Sequence, residues 1–358
     1  MREGIEISRF KYFYPLKYQK LAYGGGIADN ISKSNLAKFQ IPLFVIAELI
    51  SAMKIIRKES IDIINSHWLL PQGIVGAVCK KIFNVKHVAT VHGSDINLIA
   101  KSGVLEILFK FIAQNTDQII ANSNFTKQKI LDINNELEPK IQIIPMGIDL
   151  TKMNEFQTNN PKKIIDAEYV ILTVGRLIPL KGVNYLIQAM NHVVVRYPTA
   201  KLIICGEGSE KSNLIDLVSR LNLKENILFT GHIPNDFIIH YYHCADVFVL
   251  PSIRVDGFEE GLGVVLLEAM ACGIPVIGSN SGGICSIIND GYNGFLAKEK
   301  SPEDIAEKII ILLSDESIHE KFRHNGLETV KNYSWDVIVE QYVEAYLKTN
   351  VGSNESHI

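Results

Sequence analysis

The 358-residue sequence has few cysteines and no long uninterrupted apolar run. Its five cysteines show no CxxC spacing, and most have apolar or small neighbours, where a free thiol behaves as a small hydrophobe. The most apolar stretch, residues 41–56, contains Glu48 and Lys54 and falls short of the roughly 18 to 20 apolar residues that span a bilayer. No apolar segment of signal-peptide type opens the chain. We therefore expect a cytoplasmic protein in a reducing setting, soluble or only peripheral to the membrane.

The sequence also lacks a charge excess of either sign. Its 36 basic and 39 acidic residues give a net charge of −3, which argues against a protein that covers nucleic-acid phosphates. The hydrophobic fraction of 47% and the chain length support two domains with sizeable cores.

Short β-branched runs alternate with helix-length segments along most of the chain. Continuous apolar strands separated by helices indicate parallel sheets covered on both faces, so the predicted fold class is α/β with two doubly wound, Rossmann-like domains. Predicted strands are 61–66, 86–91, 117–122, 141–145, 169–175, 200–206, 226–231, 245–251 and 274–279, and predicted helices include 103–115, 181–196, 209–221 and 302–313.

The polar stretch 149–168 interrupts this alternation and is interpreted as a linker. It separates a predicted N-terminal domain, 1–150, from a predicted C-terminal domain, 165–333. The segment 334–348 has the pattern of an amphipathic helix whose apolar face must dock on a domain, with the N-terminal domain as one candidate.

Two cations follow the predicted strand 169–175. Arg176 and Lys181 stand just before a helix, where backbone N–H groups and the helix dipole add to the side-chain charges. This arrangement favours an anion such as a diphosphate. A solvated turn with two surface charges is the alternative.

A glycine-rich turn, CGEGSE, follows the next strand and places Gly206 and Gly208 before another helix, where they are candidates for binding the donor. On its own this is weak evidence for a ligand, since such turns also occur where backbone passes close to backbone. No GxGxxG motif follows any predicted strand, which disfavours a nicotinamide-dependent dehydrogenase.

Two carboxylates flank the start of an apolar helix in FEEGLGVVLLEAMACG. Glu260 lies in the loop before it and Glu268 lies inside it, about 9 Å further along the axis at about 1.5 Å rise per residue. Each could hold sugar hydroxyls, while the backbone near Leu262 and Gly263 offers donors to phosphate. The alternatives are a structural hydrogen bond to backbone for Glu268 and an ordinary acidic helix N-terminus for Glu260.

These motifs carry a resemblance. The run EGLGVVLLEAMACGIPVIGSNSGG, with VGRLIPLKG, VHGSD and DGYNGFL, resembles glycosyltransferase family 4, retaining enzymes with the GT-B fold and a cleft between two domains. The resemblance implies that Glu260 faces the donor sugar, Glu268 binds the ribose, Arg176 and Lys181 neutralise the diphosphate, and His92 lies beside the donor sugar. HWLLPQG suggests the branch that builds surface polysaccharides, and His67, Trp68 and Asp95 are the acceptor-side candidates.

The resemblance also implies the partners. A nucleoside-diphosphate sugar is the expected donor and a glycan or lipid-linked molecule the expected acceptor, with no cofactor. No DxD motif is present to hold a metal, and His240 and His243 lack a nearby third ligand, so we expect a metal-independent enzyme. Basic and aromatic residues alternate in 8–20, which fits peripheral contact with the inner face of the membrane.

The first domain is expected to be incomplete, since the opening residues resemble the middle of that domain in the family. A catalytically impaired nucleotide-sugar-binding protein is therefore an alternative function. An NAD-dependent oxidoreductase is a less favoured one.

Overall fold

The computed structural model describes residues 4–22, 27, 30–31, 34–99, 102–154 and 167–351. Most of the predicted linker, 155–166, lies outside the described residues. The chain divides into two compact units. The first unit comprises Met1–Ile120, Ile133–Gln142 and Ala345–Ile358, and the second comprises Ala121–Asp132 and Ile143–Glu344.

The first sheet has four strands in the order β1-β2-β3-β4. They are β1 (Ile63–His67), β2 (Lys86–Val91), β3 (Gln118–Ala121) and β4 (Ile141–Ile143). Strands β1 and β2 are parallel, with Asn65 opposite Val88 and His67 opposite Thr90. Because side chains alternate along a strand, Asn65 and His67 lie on the same face of β1.

The helices that accompany this sheet begin with a long one. Ser34 caps α1 by accepting a hydrogen bond from the backbone N–H of Ala37. The helices of the first unit are α1 (Asn35–Lys58), α2 (Ile74–Phe83), α3 (Ser94–Ile99) and α4 (Gly103–Gln114), whereas α5 (Asn124–Ile133) lies in the second unit apart from its last residue.

The second sheet has six strands in the order β10-β9-β8-β5-β6-β7, and its neighbouring strands are parallel. Buried aliphatic residues of these strands and of the covering helices form the core of the second unit. The strands are β5 (Val170–Val174), β6 (Lys201–Cys205), β7 (Ile227–Gly231), β8 (Val247–Leu250), β9 (Val276–Ser279) and β10 (Phe295–Ala297). The helices are α6 (Leu150–Asn154), α7 (Val183–Arg196), α8 (Lys211–Arg220), α9 (Ile238–Cys244), α10 (Val264–Ala271), α11 (Pro302–Ser314), α12 (Glu316–Lys331) and α13 (Trp335–Val351).

The predicted α/β class with two parallel sheets is confirmed, and each of the nine predicted strands is present within one or two residues at most ends. The short strand β10 and the helices α1, α2, α3, α5, α6, α9 and α12 are not among the predicted elements. The predicted C-terminal helix is α13, whose residues from Ala345 onward belong to the first unit.

Helix α1 is longer than the apolar run that the sequence analysis weighed. It has 24 residues, a mean hydropathy of 1.8 over its most apolar window, and only 11% of that window is buried. Among the described residues it alone is long and apolar enough to cross a membrane by length and composition. Core helices of soluble proteins and signal sequences meet the same criterion, so this property does not assign a membrane span.

Candidate functional site

Two of the predicted site residues form an ion pair in the second unit. Lys181 Nζ lies 2.6 Å from Glu260 Oε2, and both side chains are largely buried. The same oxygen accepts a hydrogen bond of 3.0 Å from the Ser252 hydroxyl. Lys181 follows β5 and Ser252 follows β8, so the carboxyl ends of neighbouring strands position the carboxylate. Ligands in doubly wound sheets bind at this edge.

Arg176 is exposed in the loop that follows β5. This loop is fixed by its neighbour after β6, because Leu177 N donates to Glu207 O and Glu210 N donates to Leu177 O, both at 2.9 Å. A β-carbon on Gly206 would lie 1.8 Å from the carbonyl oxygen of Gly175, and one on Gly208 would lie 2.1 Å from that of Leu177. The two glycines are therefore explained by close backbone packing, and their predicted donor contact stays a prediction.

The loop 259–263 is held from two sides. The carbonyl of Glu260 accepts a hydrogen bond of 2.7 Å from Gly283 N, and the carbonyl of Gly261 accepts one of 2.8 Å from the Ser123 hydroxyl. A β-carbon on Gly283 would lie 2.0 Å from the Gly261 oxygen, so only glycine permits this approach. Leu262 is buried. Gly263 has φ 90° and immediately precedes α10, which sets the backbone beside Glu260.

Glu259 directly precedes Glu260 and is not among the predicted site residues. Its side chain is only 2% exposed, and its Oε1 lies 2.7 Å from Arg254 Nε and 4.0 Å from Lys129 Nζ. Ser281 also donates to Oε2 at 3.5 Å. Because a buried carboxylate needs compensating charge, this cluster anchors the loop on which Glu260 stands. The EE dipeptide is visible in the sequence, but two partners of Glu259, Lys129 and Ser281, come from distant segments.

Glu268 lies inside α10 and has a protein partner. Its Oε2 accepts a hydrogen bond of 2.7 Å from the hydroxyl of Tyr242, a fully buried residue of α9. Burial raises the pKa of Glu268, and the hydrogen bond from Tyr242 and the charge of Lys152 oppose this shift. Glu268 thus makes a structural hydrogen bond, as the alternative interpretation expected, but its partner is a side chain and not the backbone. The predicted ribose contact stays a prediction.

In the first unit, His92 contacts two acceptor-side candidates. His67 Nδ1 lies 3.1 Å from His92 Nε2, and the Trp68 ring lies edge-on to that of His92 with centroids 6.0 Å apart. Burial, followed by the charge of His67, lowers the pKa of His92 to about 4, and burial lowers the pKa of His67. Both imidazoles are therefore neutral at pH 7.

Asp95 is buried and its Oδ2 accepts a hydrogen bond of 2.7 Å from Leu69 N. Burial raises the pKa of Asp95. This contact fixes the backbone just after Trp68, which has φ 74°. Asp95 thus has a structural task in the described geometry, and its predicted acceptor contact stays a prediction.

The described residues contain one group of three with metal-ligand spacing, Glu316, His319 and Glu320. Arg323 Nε donates to both oxygens of Glu320, at 3.0 and 2.8 Å, which explains that carboxylate without an ion. His243 of the pair considered in the sequence lies 3.1 Å from the carbonyl oxygen of Met153, a structural hydrogen bond.

Comparison with known proteins gives two matching families. "Glycosyl transferases group 1" matches residues 155–329 and "Glycosyltransferase Family 4" matches residues 14–152. An uncharacterized glycosyltransferase of Methanocaldococcus jannaschii is 33% identical over 325 residues, which cover 90% of this chain and 85% of the relative. The capsular polysaccharide biosynthesis glycosyltransferase CapM of Staphylococcus aureus is 31% identical over 334 residues, covering 89% and 85% of the two chains.

Among solved structures, Anabaena HepE in complex with UDP superposes with a TM-score of 0.75 at 21% identity, covering 84% of this chain and 83% of that one. At that identity the likeness shows the fold. Together the matches leave the oxidoreductase alternative without support. The chain is an enzyme of the group 1 and family 4 glycosyltransferases, with the GT-B fold.

Proposed function

We propose that this glycosyltransferase moves a sugar from a nucleoside-diphosphate sugar to a glycan or lipid-linked acceptor, with retention of the anomeric configuration. The observation that carries the proposal is the Lys181–Glu260 pair at the carboxyl edge of the second sheet, with exposed Arg176 at the end of the same β5 loop. It supplies two cations for an anionic leaving group and a carboxylate for sugar hydroxyls.

In the proposed mechanism, the bond between the anomeric carbon and the diphosphate oxygen breaks as the acceptor hydroxyl oxygen bonds to that carbon on the same face. The acceptor proton passes to an oxygen of the departing diphosphate. Arg176 and Lys181 stabilise the negative charge that grows on the leaving group. Glu260 orients the sugar and His92 contacts it, as the family resemblance implies.

The proposed transfer needs no metal ion. Arg176 and Lys181 supply positive charge for the diphosphate, and the sequence offers no DxD motif for a divalent ion. We therefore expect full activity in excess EDTA. A loss of activity that Mg²⁺ restores would contradict this part of the proposal.

For the acceptor, we propose a molecule of surface polysaccharide or glycoconjugate synthesis at the cytoplasmic face of the membrane. The name of the CapM relative and the motif HWLLPQG support it. A row of exposed apolar residues on α1 is consistent with peripheral contact with lipid, namely Phe39, Leu43, Ile46 and Ile50.

The test is calorimetric titration of the 358-residue protein with UDP, GDP and their sugar conjugates, followed by an assay for nucleoside diphosphate and sugar release. We expect one nucleotide to bind, and Arg176→Ala to weaken its binding at least tenfold. Arg220→Ala, which removes another exposed arginine, at the end of α8, is the matched control and should leave affinity unchanged.

Retention is tested by the anomeric configuration of the product from an α-linked donor, which should be α. A β product would overturn the retaining assignment. Nucleotide binding without any turnover would favour the impaired nucleotide-sugar-binding protein instead. No nucleotide binding by the folded protein would overturn the donor site.

A further inference from the structure

Five side chains in the first unit form a continuous hydrogen-bonded chain that ends on His92. Tyr346 of α13 contacts Asn65, Asn65 contacts Thr90 and His67, and His67 contacts His92. The family resemblance places His92 beside the donor sugar and makes His67 an acceptor-side candidate, but it implies no role for Asn65, Thr90 or Tyr346. The other members lie on three separate segments, β1, β2 and the C-terminal helix, and their contacts exist only in the folded unit.

The orientation of the Asn65 amide gives this chain a direction. Its Oδ1 accepts from the Thr90 hydroxyl at 3.0 Å, while its Nδ2 donates to the Tyr346 hydroxyl at 2.7 Å. The same Nδ2 lies 3.4 Å from His67 Nε2. With the amide in this orientation its nitrogen can only donate, so His67 Nε2 is the acceptor and the His67 proton is on Nδ1.

The contact between the two histidines continues the same direction. Their ring planes are inclined by only 15°, the ring centroids lie 5.3 Å apart, and the facing nitrogens are 3.1 Å apart, so each nitrogen lies close to the line between the centroids. The rings therefore meet edge to edge, in the geometry of a hydrogen bond. His67 Nδ1–H donates, His92 Nε2 accepts, and the His92 proton is placed on Nδ1.

We propose that Asn65, acting through His67, fixes the tautomer of His92 with its proton on Nδ1. Asn65 and His67 are thus positioning residues that make His92 a hydrogen-bond donor at Nδ1 rather than an acceptor. The neutral state of both imidazoles at pH 7 means that the tautomer, rather than the charge, is the property under control. The consequence for catalysis rests on the proposed role of His92, whereas the tautomer itself does not.

The test is Asn65→Asp, because a carboxylate accepts hydrogen bonds and cannot donate them. The hydroxyls of Thr90 and Tyr346 can both donate to it, so the chain remains satisfied. His67 must then donate from Nε2, its Nδ1 becomes an acceptor, and His92 must donate from Nε2. The substitution therefore inverts both tautomers.

Tautomers are read from long-range ¹H–¹⁵N correlation spectra of protein labelled with ¹⁵N-histidine. Spectra are recorded at about pH 9, where an imidazole is neutral even beside a carboxylate. We expect His67 and His92 to carry their protons on Nδ1 in the wild type and on Nε2 in Asn65→Asp. Asn84→Asp, at an exposed site in the same unit, adds the same charge and should leave both tautomers unchanged.

A wild-type His92 with its proton on Nε2 would overturn the proposal, as would a His92 tautomer that Asn65→Asp leaves unchanged. The kinetic arm predicts a kcat about tenfold lower in Asn65→Asp with the affinity for the nucleotide unchanged. If Asn65→Asp merely disturbed the fold, the rest of the spectrum would change as well. Inverted tautomers in an otherwise native spectrum therefore come from the changed hydrogen bond. If the protein turns over no donor, the proposed function fails. The spectra still test the tautomer proposal, because they do not depend on activity.

Discussion

Glu268 is a carboxylate inside a helix whose other side chains are almost all apolar or small. The sequence predicts that such a group needs a partner, and the structure supplies Tyr242, which is 26 positions away in the chain. A sequence cannot identify this partner, because β8 separates α9 from α10 along the chain and the two helices meet only in the folded unit. The sequence does predict that Lys181 and Glu260 lie near each other, since both follow predicted strands whose carboxyl ends share one edge of the sheet.

Removing the hydroxyl in Tyr242→Phe should destabilise the protein by about 1–3 kcal/mol, since it leaves a largely buried carboxylate without its donor. The pKa of Glu268 should rise further, because the lost hydrogen bond favoured its charged form. We also expect weaker nucleotide binding. Chemical denaturation and calorimetric titration measure the two effects.

Tyr292→Phe is the control, since this tyrosine is 48% exposed. It should change neither stability nor affinity. If Tyr242→Phe behaved like Tyr292→Phe, the Tyr242–Glu268 hydrogen bond would have no energetic role.

We expect the stability of the protein to depend on pH because of the buried carboxyl group of Glu48. It lines a cavity of about 360 Å³ with Asn65, His67, Gln72 and His92, and among the described residues its Oε2 has no hydrogen-bond partner. Burial raises the pKa of Glu48 to about 7. The folded state thus keeps a proton that the unfolded chain releases near pH 4.5, so stability falls as pH rises from about 4.5 through 7.

Glu48→Gln removes this titration and should stabilise the protein at pH 8, on the order of 1 kcal/mol given partial exposure, with little effect at pH 4.5. Denaturant unfolding at both pH values measures it. Glu136→Gln, at an exposed site, is the control and should show no such difference. Equal effects of Glu48→Gln at both pH values would contradict the raised pKa.

At the scale of elements, the position of the loop 259–263 depends on Gly283 in the segment that follows β9. Gly283→Ala would place a methyl group 2.0 Å from the Gly261 carbonyl oxygen, so the two segments must separate. We expect a loss of about 1–3 kcal/mol in stability and a larger loss of activity, because Glu260 stands on the displaced loop. Thermal unfolding and the sugar-release assay test this.

Gly103→Ala provides the comparison, since a β-carbon there has no neighbour within 4 Å and the residue begins α4. It should be neutral or slightly stabilising. A Gly283→Ala variant with full activity would show that the approach of the two loops is not needed for the site.

The strands were predictable because apolar β-branched runs in a parallel sheet are buried on both faces, as in VILTV of β5 and KLIIC of β6. Helix α12 was missed because its surface is mostly polar, and β10 because three residues carry no periodic signal. In the sequence, helix α1 shows only as an apolar run, so the full length of the helix is evident only in the structure. Long-range contacts such as Glu259–Lys129 and Asn65–Tyr346 have no local sequence pattern.

At the scale of the whole molecule, the small net charge of −3 offers little general attraction to an anionic membrane. Any membrane contact must therefore come from local surfaces. The exposed row on α1 has the spacing of one helical face, with Phe39, Leu43, Ile46 and Ile50 at 65%, 36%, 54% and 48% exposure. Its apolar character predicts binding that resists salt, whereas binding through the basic residues in 8–20 would weaken as salt is added.

We expect the protein to co-sediment with vesicles that contain anionic lipid, and the double variant Ile46→Asp/Ile50→Asp to reduce the bound fraction severalfold. Two charges on the apolar face oppose its insertion among acyl chains. Ile82→Asp, at a residue of α2 that is 54% exposed, is the control for a charge on another apolar surface site and should leave binding intact. Equal binding by the double variant and the wild type would exclude the α1 row as the contact, and binding lost at high salt would favour the basic segment.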